Sequence, residues 1–210
     1  GWGDPGLPDL HGMYWSSSND FTEAMYYRLA QAVSFSNSFI KNASELSGDE
    51  VSVFVAEARF LRAYAYYNLL DLYGNVPLTT EISTELPTQS NRTELFNFIE
   101  SELMEIESSM LASNEYGRVD NVAAHALLSR LYLNAEAWTG QDRYADCITY
   151  SQNVINSGYT LNMNDANGNG TAYDELFMAD NDVNGAQNEF IFTLNFDGMQ
   201  SQTYGGTTFL

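Results

Sequence analysis

EARFLRAYAYYNLLDLYGNVPL, residues 57–78, carries a clear helical pattern. Its apolar residues recur at helical spacing and cover most of the circumference, which predicts a helix that neighbours bury on several sides. Gly74 can adopt the left-handed conformation that ends a helix, and Pro77 disfavours helix at the preceding residue. The sequence therefore predicts a long, buried helix that stops at GNVP.

The aromatic residues of this helix are interpreted as core material. Tyrosine places an apolar ring in the core, and its hydroxyl can bond a neighbouring helix or water. This interpretation covers Tyr64, Tyr66, Tyr67 and Tyr73. The guanidinium groups of Arg59 and Arg62 can each satisfy several acceptors, so we expect them to bridge to carboxylates such as Glu57 or to carbonyls of a facing helix.

Helical periodicity continues on both sides of this stretch. The predicted helices run from Phe21 to about Lys41, from Ser47 to Tyr73, from Asn91 to Met110, from Asp120 to near Gly140 and from about Asp142 to Asn156. Three starts carry capping signals: Ser47 with Glu50, Asn91 with Glu94, and Asp120. Tyr144, Ile148 and Ile155 form an apolar face on the last helix. The last four helices are interpreted as two pairs.

The two pairs share a faint self-similarity. Ala58, Leu61 and Tyr66 recur in register as Ala124, Leu127 and Tyr132, an offset of about two tetratricopeptide periods. This favours a mainly α fold, a TPR-like stack of helical hairpins. NEFIFTLNF, residues 188–196, alternates apolar and polar residues and predicts a short β segment near the C-terminal end.

We expect three regions along the chain. Residues 1–20 form an aromatic, Gly- and Pro-rich loop region, and residues 21–160 form the TPR-like helical domain. Residues 161–210 form a loop and strand region. Because the chain starts without Met and ends on GGTTFL, we expect it to be part of a longer protein.

Composition excludes several function classes. Lys plus Arg number 8 and Asp plus Glu number 28, and the formal net charge of −20 repels nucleic acid and anionic lipid. Cys147 is the single cysteine, so an internal disulfide and a cysteine zinc cage are excluded. No run reaches the length of a membrane span, and the N-terminus is neither basic nor apolar enough for a signal peptide.

Several stretches together resemble the SusD/RagB family, the surface glycan-binding lipoproteins of Bacteroidetes. Residues 57–78 are closely similar to the family signature. Further similar stretches follow in the family's order: GRVDNVAAHALLSRLYLNA at 117–135, YADCITYSQNVINSGYTL at 144–161, DELFMADN at 174–181 and NEFIFTLNF at 188–196. The stretch WGDPGLPDLHGMYWSSSNDFTEAMYYRLAQAVSFSNSFI is similar to the family's region before the first TPR-like unit.

The resemblance implies a non-catalytic protein with an oligosaccharide or polysaccharide ligand. It implies a lipid-anchored protein on the outer face of the outer membrane that passes sugars to a SusC-like TonB-dependent transporter. It also implies a second half, beyond this chain, that packs on the TPR-like part. The alternative is a TPR-like protein–protein adaptor without significant sugar binding.

The N-terminal loop offers the residue types that a glycan site needs. Sugars stack their C–H faces on aromatic rings, and their hydroxyls need paired donors and acceptors. The resemblance supports the same loop, and the predicted glycan-binding residues are Trp2, Asp4, Tyr14, Trp15 and Asn19. The alternative is that Trp15 only pins the loop onto the helices.

Two other patterns have weaker chemical interpretations. DANGNG places Asp165, Asn167 and Asn169 at the alternate positions of a calcium loop, but Leu176 stands where the bidentate carboxylate belongs. A flexible Asn/Gly loop is therefore favoured, and no cofactor is expected. The acid-rich ESELMEIESS invites a paired-carboxylate glycosidase hypothesis, but its glutamates are interpreted as the solvated face of an amphipathic helix. His125 is interpreted as a satisfied core histidine.

Overall fold

The structure, a computed structural model, describes residues 6–196 and residue 199, and within them it is mainly helical. The helices are α1 Leu7–Gly12, α2 Asp20–Ala43, α3 Asp49–Tyr73, α4 Arg92–Ile106, α5 Asn121–Leu133, α6 Ala135–Thr139 and α7 Tyr144–Ile155. Short 3-10 helices cover Glu107–Ser109, Asp174–Phe177 and Ala186–Asn188. The mainly α prediction is confirmed, and α1 lies within the stretch that was predicted as loop.

The chain forms two compact units. The first unit contains α1 to α4 together with α6, and the second contains α5, α7 and the 3-10 helices. In the first unit α2 and α4 both pack on α3, and α6 packs on α4. In the second unit α5 packs on α7. Helix pairing is therefore confirmed, while the division of the chain at residues 20 and 160 stays a prediction.

Helix α3 is the core of the first unit, as its aromatic sequence predicts. Phe60, Tyr66 and Leu70 are almost fully buried. The hydroxyl of Tyr66 donates to the carbonyl of Thr79 over 3.0 Å and accepts from the Thr79 N–H over 2.7 Å. The helix ends at Gly74, whose φ is 75° and whose N–H donates to the Leu70 carbonyl. Tyr66 thus joins the core to the loop that follows α3.

A buried ion pair crosses from α3 to α4. Arg62 and Glu102 are both buried, and their side chains meet at 2.5 Å. Arg62 also donates to the side-chain oxygen of Asn37 in α2 over 2.7 Å. Arg59 donates to Glu102 and to Glu105. The prediction that the two arginines pair with carboxylates is confirmed, and the observed partners are Glu102 and Glu105 of α4. The suggested pairing with Glu57 stays a prediction.

The burial of Glu102 corrects the interpretation of ESELMEIESS as a wholly solvated face. Glu102 accepts hydrogen bonds from both arginines, which compensates a charge that would be costly to bury alone. Glu102 lies near other glutamates in the sequence, but its ion pairs with Arg59 and Arg62 of α3 hold it in the core. It is a structural counter-ion.

Two of the three predicted helix starts are confirmed. Asn91 and Glu94 exchange backbone-to-side-chain hydrogen bonds of 2.9 and 3.0 Å, the reciprocal pattern of a capping box. The Asp120 carboxylate accepts from the N–H of Ala123. The cap at Ser47 is wrong, because Gly48 is the residue before α3, and its φ of 132° strongly favours glycine.

The predicted helix from Asp120 to Gly140 is interrupted at Asn134, which separates α5 from α6. Asn134 leaves helical geometry with φ −99° and ψ 3°, and asparagine competes with helix by bonding nearby backbone groups. Trp138 of α6 packs edge-to-face on Tyr67 of α3 within the first unit, with ring centroids 5.8 Å apart.

The predicted β segment at 190–196 is wrong, since the structure assigns no strand there. A strand requires a hydrogen-bonded partner, and in the described part the sole β-type pairing is an isolated bridge between Pro77 and Gln89. Tyr144, Ile148 and Ile155, the apolar face predicted for α7, are exposed. Helix α7 packs on α5 through neighbouring positions, where Cys147 and Ser151 contact Ser129. Among the described helices none has the length and apolar character to cross a membrane.

Candidate functional site

The loop between α1 and α2 is fixed by a buried asparagine. The side-chain oxygen of Asn19 accepts from the N–H groups of Phe21 and Thr22 over 3.1 and 3.3 Å, which caps α2. Its amide nitrogen donates to the carbonyl of Gly6 over 3.0 Å. Asn19 is only 5% exposed. These bonds and this burial show that Asn19 holds the loop, and its contact with a glycan stays a prediction.

Two aromatic side chains project from this fixed loop. Tyr14 is 66% exposed and Trp15 is 51% exposed. The Tyr14 ring lies against the backbone of Gly12, where an added Cβ would come 2.0 Å from a ring carbon. The other two residues predicted for the site, Trp2 and Asp4, lie outside the described residues. Of the predicted set, Tyr14 and Trp15 are the residues that the described part of the structure exposes to solvent.

Trp15 forms one side of an open groove of about 1030 Å³ in the first unit. Helix α2 contributes Phe21, Met25, Tyr26 and Tyr27, and the end of α3 contributes Leu72 and Tyr73. The loop adds the hydroxyl-bearing Ser16, Ser17 and Ser18. The groove thus combines aromatic and apolar walls with a polar edge.

The far wall of the groove is held by a tyrosine pair. Tyr26 and Tyr73 pack edge-to-face with ring centroids 5.3 Å apart. The hydroxyl of Tyr73 donates to the carbonyl of Thr22 over 2.5 Å, which ties the end of α3 to the first turn of α2. Burial raises the pKa of Tyr73 above its ordinary value.

The described lining of the groove contains no positively charged side chain. Glu23 is the charged side chain among these lining residues. Aromatic faces suit the C–H faces of a sugar ring, and the serine, threonine and glutamate oxygens suit its hydroxyls. The arrangement can bind a neutral polar ligand by stacking and directed hydrogen bonds.

Sequence reasoning missed the helical half of this groove. Tyr73 was assigned to the core with the other tyrosines of α3, and Tyr26 and Tyr27 were not singled out. The available signal was their position, because Tyr26 and Tyr27 lie in the first turns of α2, directly after the aromatic loop. Tyr73 lies at the last position of α3, where a side chain can reach the end of a neighbouring helix.

In the weak calcium candidate, hydrogen bonds within the loop already occupy the carboxylate oxygens of Asp165. The Asp165 carboxylate accepts from the N–H groups of Gly168, Asn169 and Gly170. The side chain of Asn169 donates to Asp174. In residues 6–196 and 199, no group of three His, Cys, Asp or Glu side chains is placed to hold a metal ion. The loop has the hydrogen bonding of a compact turn.

His125 has a carboxylate partner in the second unit. Its Nε2 atom lies 2.8 Å from a side-chain oxygen of Glu107, and its ring lies 5.6 Å from that of Tyr150. The side chain is mostly buried. The interpretation of His125 as a satisfied histidine is therefore confirmed.

Comparison with known proteins assigns the chain to a family. A SusD-like family model described as "Starch-binding associating with outer membrane" matches residues 11–133. The chain belongs to the SusD-like family. It is 40% identical, over 97% of its length, to the starch-binding protein SusD of Bacteroides thetaiotaomicron, and spans 36% of that protein.

Solved structures agree with this assignment. A SusD-like protein from Bacteroides fragilis is 25% identical with a TM-score of 0.72, over 90% of this chain and 36% of that one. A laminarin-binding SusD-like protein is also 25% identical, with a TM-score of 0.66 over 77% of this chain and 36% of that one. The predicted SusD-like, TPR-like fold is confirmed. The chain spans about a third of these relatives.

Proposed function

We propose that this chain is the part of a non-catalytic glycan-binding protein that holds an oligosaccharide or polysaccharide in the Trp15 groove. The observation that carries the proposal is the exposure of Trp15 and Tyr14 on a loop that buried Asn19 fixes, beside the tyrosine wall of α2 and α3. A rigid loop presents its rings without an ordering penalty when ligand binds. Trp15 stacks on a sugar ring, and nearby hydroxyls bond the sugar.

The relatives support this proposal by what their names say they bind. SusD of Bacteroides thetaiotaomicron is named a starch-binding protein, and a structural relative is named for laminarin binding. Both names describe carbohydrate binding, which agrees with the aromatic and hydroxyl lining of the groove. The proposal for this chain is a neutral glycan of that general class.

The proposed place of action is the cell surface at the outer membrane. The description of the family as associating with the outer membrane supports this. We further propose a lipid anchor and a SusC-like TonB-dependent transporter as partner, which the resemblance implies. Bound sugar would then pass from the groove to the transporter. The net charge of −20 disfavours nucleic acid and anionic lipid as partners.

Binding without turnover fits the chemistry of the acidic residues. Glycoside hydrolysis needs one carboxyl group as a proton donor and a second as nucleophile or base. Glu102 is buried and accepts hydrogen bonds from Arg59 and Arg62, so it is occupied as their counter-ion. We expect no release of reducing ends from any polysaccharide, measured over a day against a glycosidase standard.

Affinity gel electrophoresis tests the proposal. Native gels containing starch, laminarin, a fructan or mucin glycans are run with the wild-type chain and the Trp15→Ala variant. We expect one polysaccharide to retard the wild type and the variant to migrate as in a gel without glycan. Equal retardation of both proteins would contradict the site assignment, and an absence of retardation throughout the panel would contradict glycan binding by this chain.

A protein–protein adaptor is the second candidate, and the outer face of α2 favours it. Phe35 and Phe39 are exposed there, outside the groove, and the sequence contains no carboxylate between Glu23 and Glu45. Although the chain has a net charge of −20, this apolar surface contains no carboxylate that would repel an acidic partner. An adaptor predicts no retardation by any glycan of the panel.

A further inference from the structure

A small pocket of about 290 Å³ lies within the second unit. One wall comes from residues 112–122, which lead into α5, and the other from residues 187–193, with Gly158 and Tyr159 between them. Its volume is near the lower end of small-molecule sites. A single sugar ring fits that scale, whereas a long glycan chain does not.

The first wall is held in place by its own hydrogen bonds. The Asn114 side chain accepts from the N–H of Glu115 and donates to the carbonyl of Val119, each over 2.9 Å. Gly117 has a φ of 84°, and an added Cβ there would come 2.1 Å from the amide nitrogen of Asn195. This turn therefore requires glycine both for its conformation and for the close approach of Asn195.

The second wall is anchored to the segment that follows α7. The N–H of Thr160 donates to the carbonyl of Asn188 over 3.2 Å. The N–H of Asn162 donates to the Glu189 carboxylate over 2.7 Å. The side-chain oxygen of Gln187 accepts from the N–H of Gly185 over 2.8 Å. Both walls are thus preformed, which reduces the ordering that a ligand would have to impose.

The lining mixes aromatic rings with hydrogen-bonding groups. Tyr116 is 41% exposed, and the half-buried rings of Phe190 and Phe192 lie in the opposite wall. At the base, the Tyr159 hydroxyl donates to Asp120 over 2.8 Å, and burial raises the pKa of Tyr159. The base is therefore a neutral phenol bonded to a carboxylate. Apolar faces beside fixed polar groups suit a sugar ring.

We infer that this pocket is a second carbohydrate site, which binds one neutral sugar ring, such as the end of an oligosaccharide, with Tyr116 stacked on the ring. The inference rests on the proposed function, because it assigns a further contact to a glycan-binding chain. It differs from the Trp15 groove in residues and in size. Each site can therefore be removed without touching the other.

Amide NMR of the ¹⁵N-labelled 210-residue chain tests the inference, with maltose as the probe. The Trp15→Ala background removes the first site, so any remaining signal reports the pocket. We expect saturable shifts of the Tyr116, Gly117 and Asn188 amides. Tyr116→Ala should weaken this binding at least about fivefold, the scale of one lost ring contact. Ala112→Trp, at an exposed lining position, should abolish it by filling the pocket.

Tyr144→Ala is the matched control, because Tyr144 is exposed to a similar degree in the same unit and lies outside the pocket. It should leave maltose binding unchanged. Glycerol at equal hydroxyl concentration should give no saturable shift. Shifts that survive Ala112→Trp, or an absence of shifts in the Trp15→Ala background, would overturn the inference. If the Trp15→Ala background shows no maltose shifts and this variant also loses polysaccharide retardation, the proposed function stands and the pocket inference fails. If the wild type binds no glycan at all, both fail.

Discussion

The aromatic residues of α3 and those of the α1–α2 loop belong to the same unit and have opposite exposures. Tyr66 in α3 is 1% exposed, whereas Trp15 in the loop is 51% exposed. Tyr66 packs edge-to-face on Phe98 of α4 and bonds Thr79 with its hydroxyl. Trp15 stands on a short loop whose backbone Asn19 holds.

Aromatic content alone therefore does not identify a binding site. A ring in the middle of a helix that neighbours surround contributes to folding, because burial removes it from water. A ring on a rigid loop leaves its face free for a ligand. The comparison predicts that substitutions in α3 change stability, while substitutions in the loop change ligand affinity.

Breaking the buried ion pair should have the largest effect on folding. Arg62→Met leaves Glu102 buried with one of its two arginines gone, and we expect a loss of about 3 kcal/mol in the free energy of unfolding. Urea denaturation followed by circular dichroism measures it. Arg59→Met is the control, because Arg59 is more exposed and should lose about 1 kcal/mol or less. Equal losses for both variants would contradict the structural role of Arg62.

Removing the buried hydroxyl of the core tyrosine should have a smaller effect. Tyr66→Phe keeps the ring but deletes the bonds to Thr79, and we expect a loss of about 1 to 2 kcal/mol in the same measurement. Tyr14→Phe, on the exposed loop, should remain within about 0.5 kcal/mol of the wild type. A loss in Tyr14→Phe as large as that in Tyr66→Phe would remove the distinction between the two regions.

Tyr159 extends the comparison to a tyrosine of the second unit and to alkaline pH. Burial, with the hydrogen bond to Asp120, raises its pKa above the ordinary value of 10.0. Below pH 10 the neutral Tyr159 therefore makes its full contribution to the free energy of unfolding. This contribution falls as the pH rises from 10 towards the pKa of Tyr159 in the folded protein. The stability difference between wild type and Tyr159→Phe should narrow above pH 10. A constant difference would show that Tyr159 titrates normally.

Much of the fold was predictable because it rests on local signals. The apolar spacing around α3 and the reciprocal cap of Asn91 and Glu94 depend on neighbouring residues alone. The burial of Glu102 was not predictable, since it depends on arginines that lie 40 and 43 residues away. The strand at 190–196 failed for the same reason, because pairing is a property of two segments. Gly48 shows that a local signal also fails when a neighbouring glycine offers another start.

The candidate site likewise combines residues whose roles the local sequence predicts with residues whose roles depend on tertiary packing. Exposed Trp15 and Tyr14 followed from the aromatic composition of the loop. Asn19 carries the residue type of a sugar-binding amide and also of a helix cap, and the structure uses it as a cap. The contribution of Tyr73 depends on how the end of α3 meets α2, which no local pattern contains.

Affinity and stability measured on the same two variants test whether Trp15 binds glycan or only supports the fold. Trp15→Ala removes a groove ring, and Phe35→Ala removes an exposed ring of α2 outside the groove. Titration calorimetry with the glycan selected by the gel panel gives the affinity, and urea denaturation gives the free energy of unfolding. We expect Trp15→Ala to lose at least about tenfold in affinity, with both variants within about 0.5 kcal/mol of wild-type stability. Unchanged affinity in a folded Trp15→Ala protein would show that Trp15 does not bind the glycan.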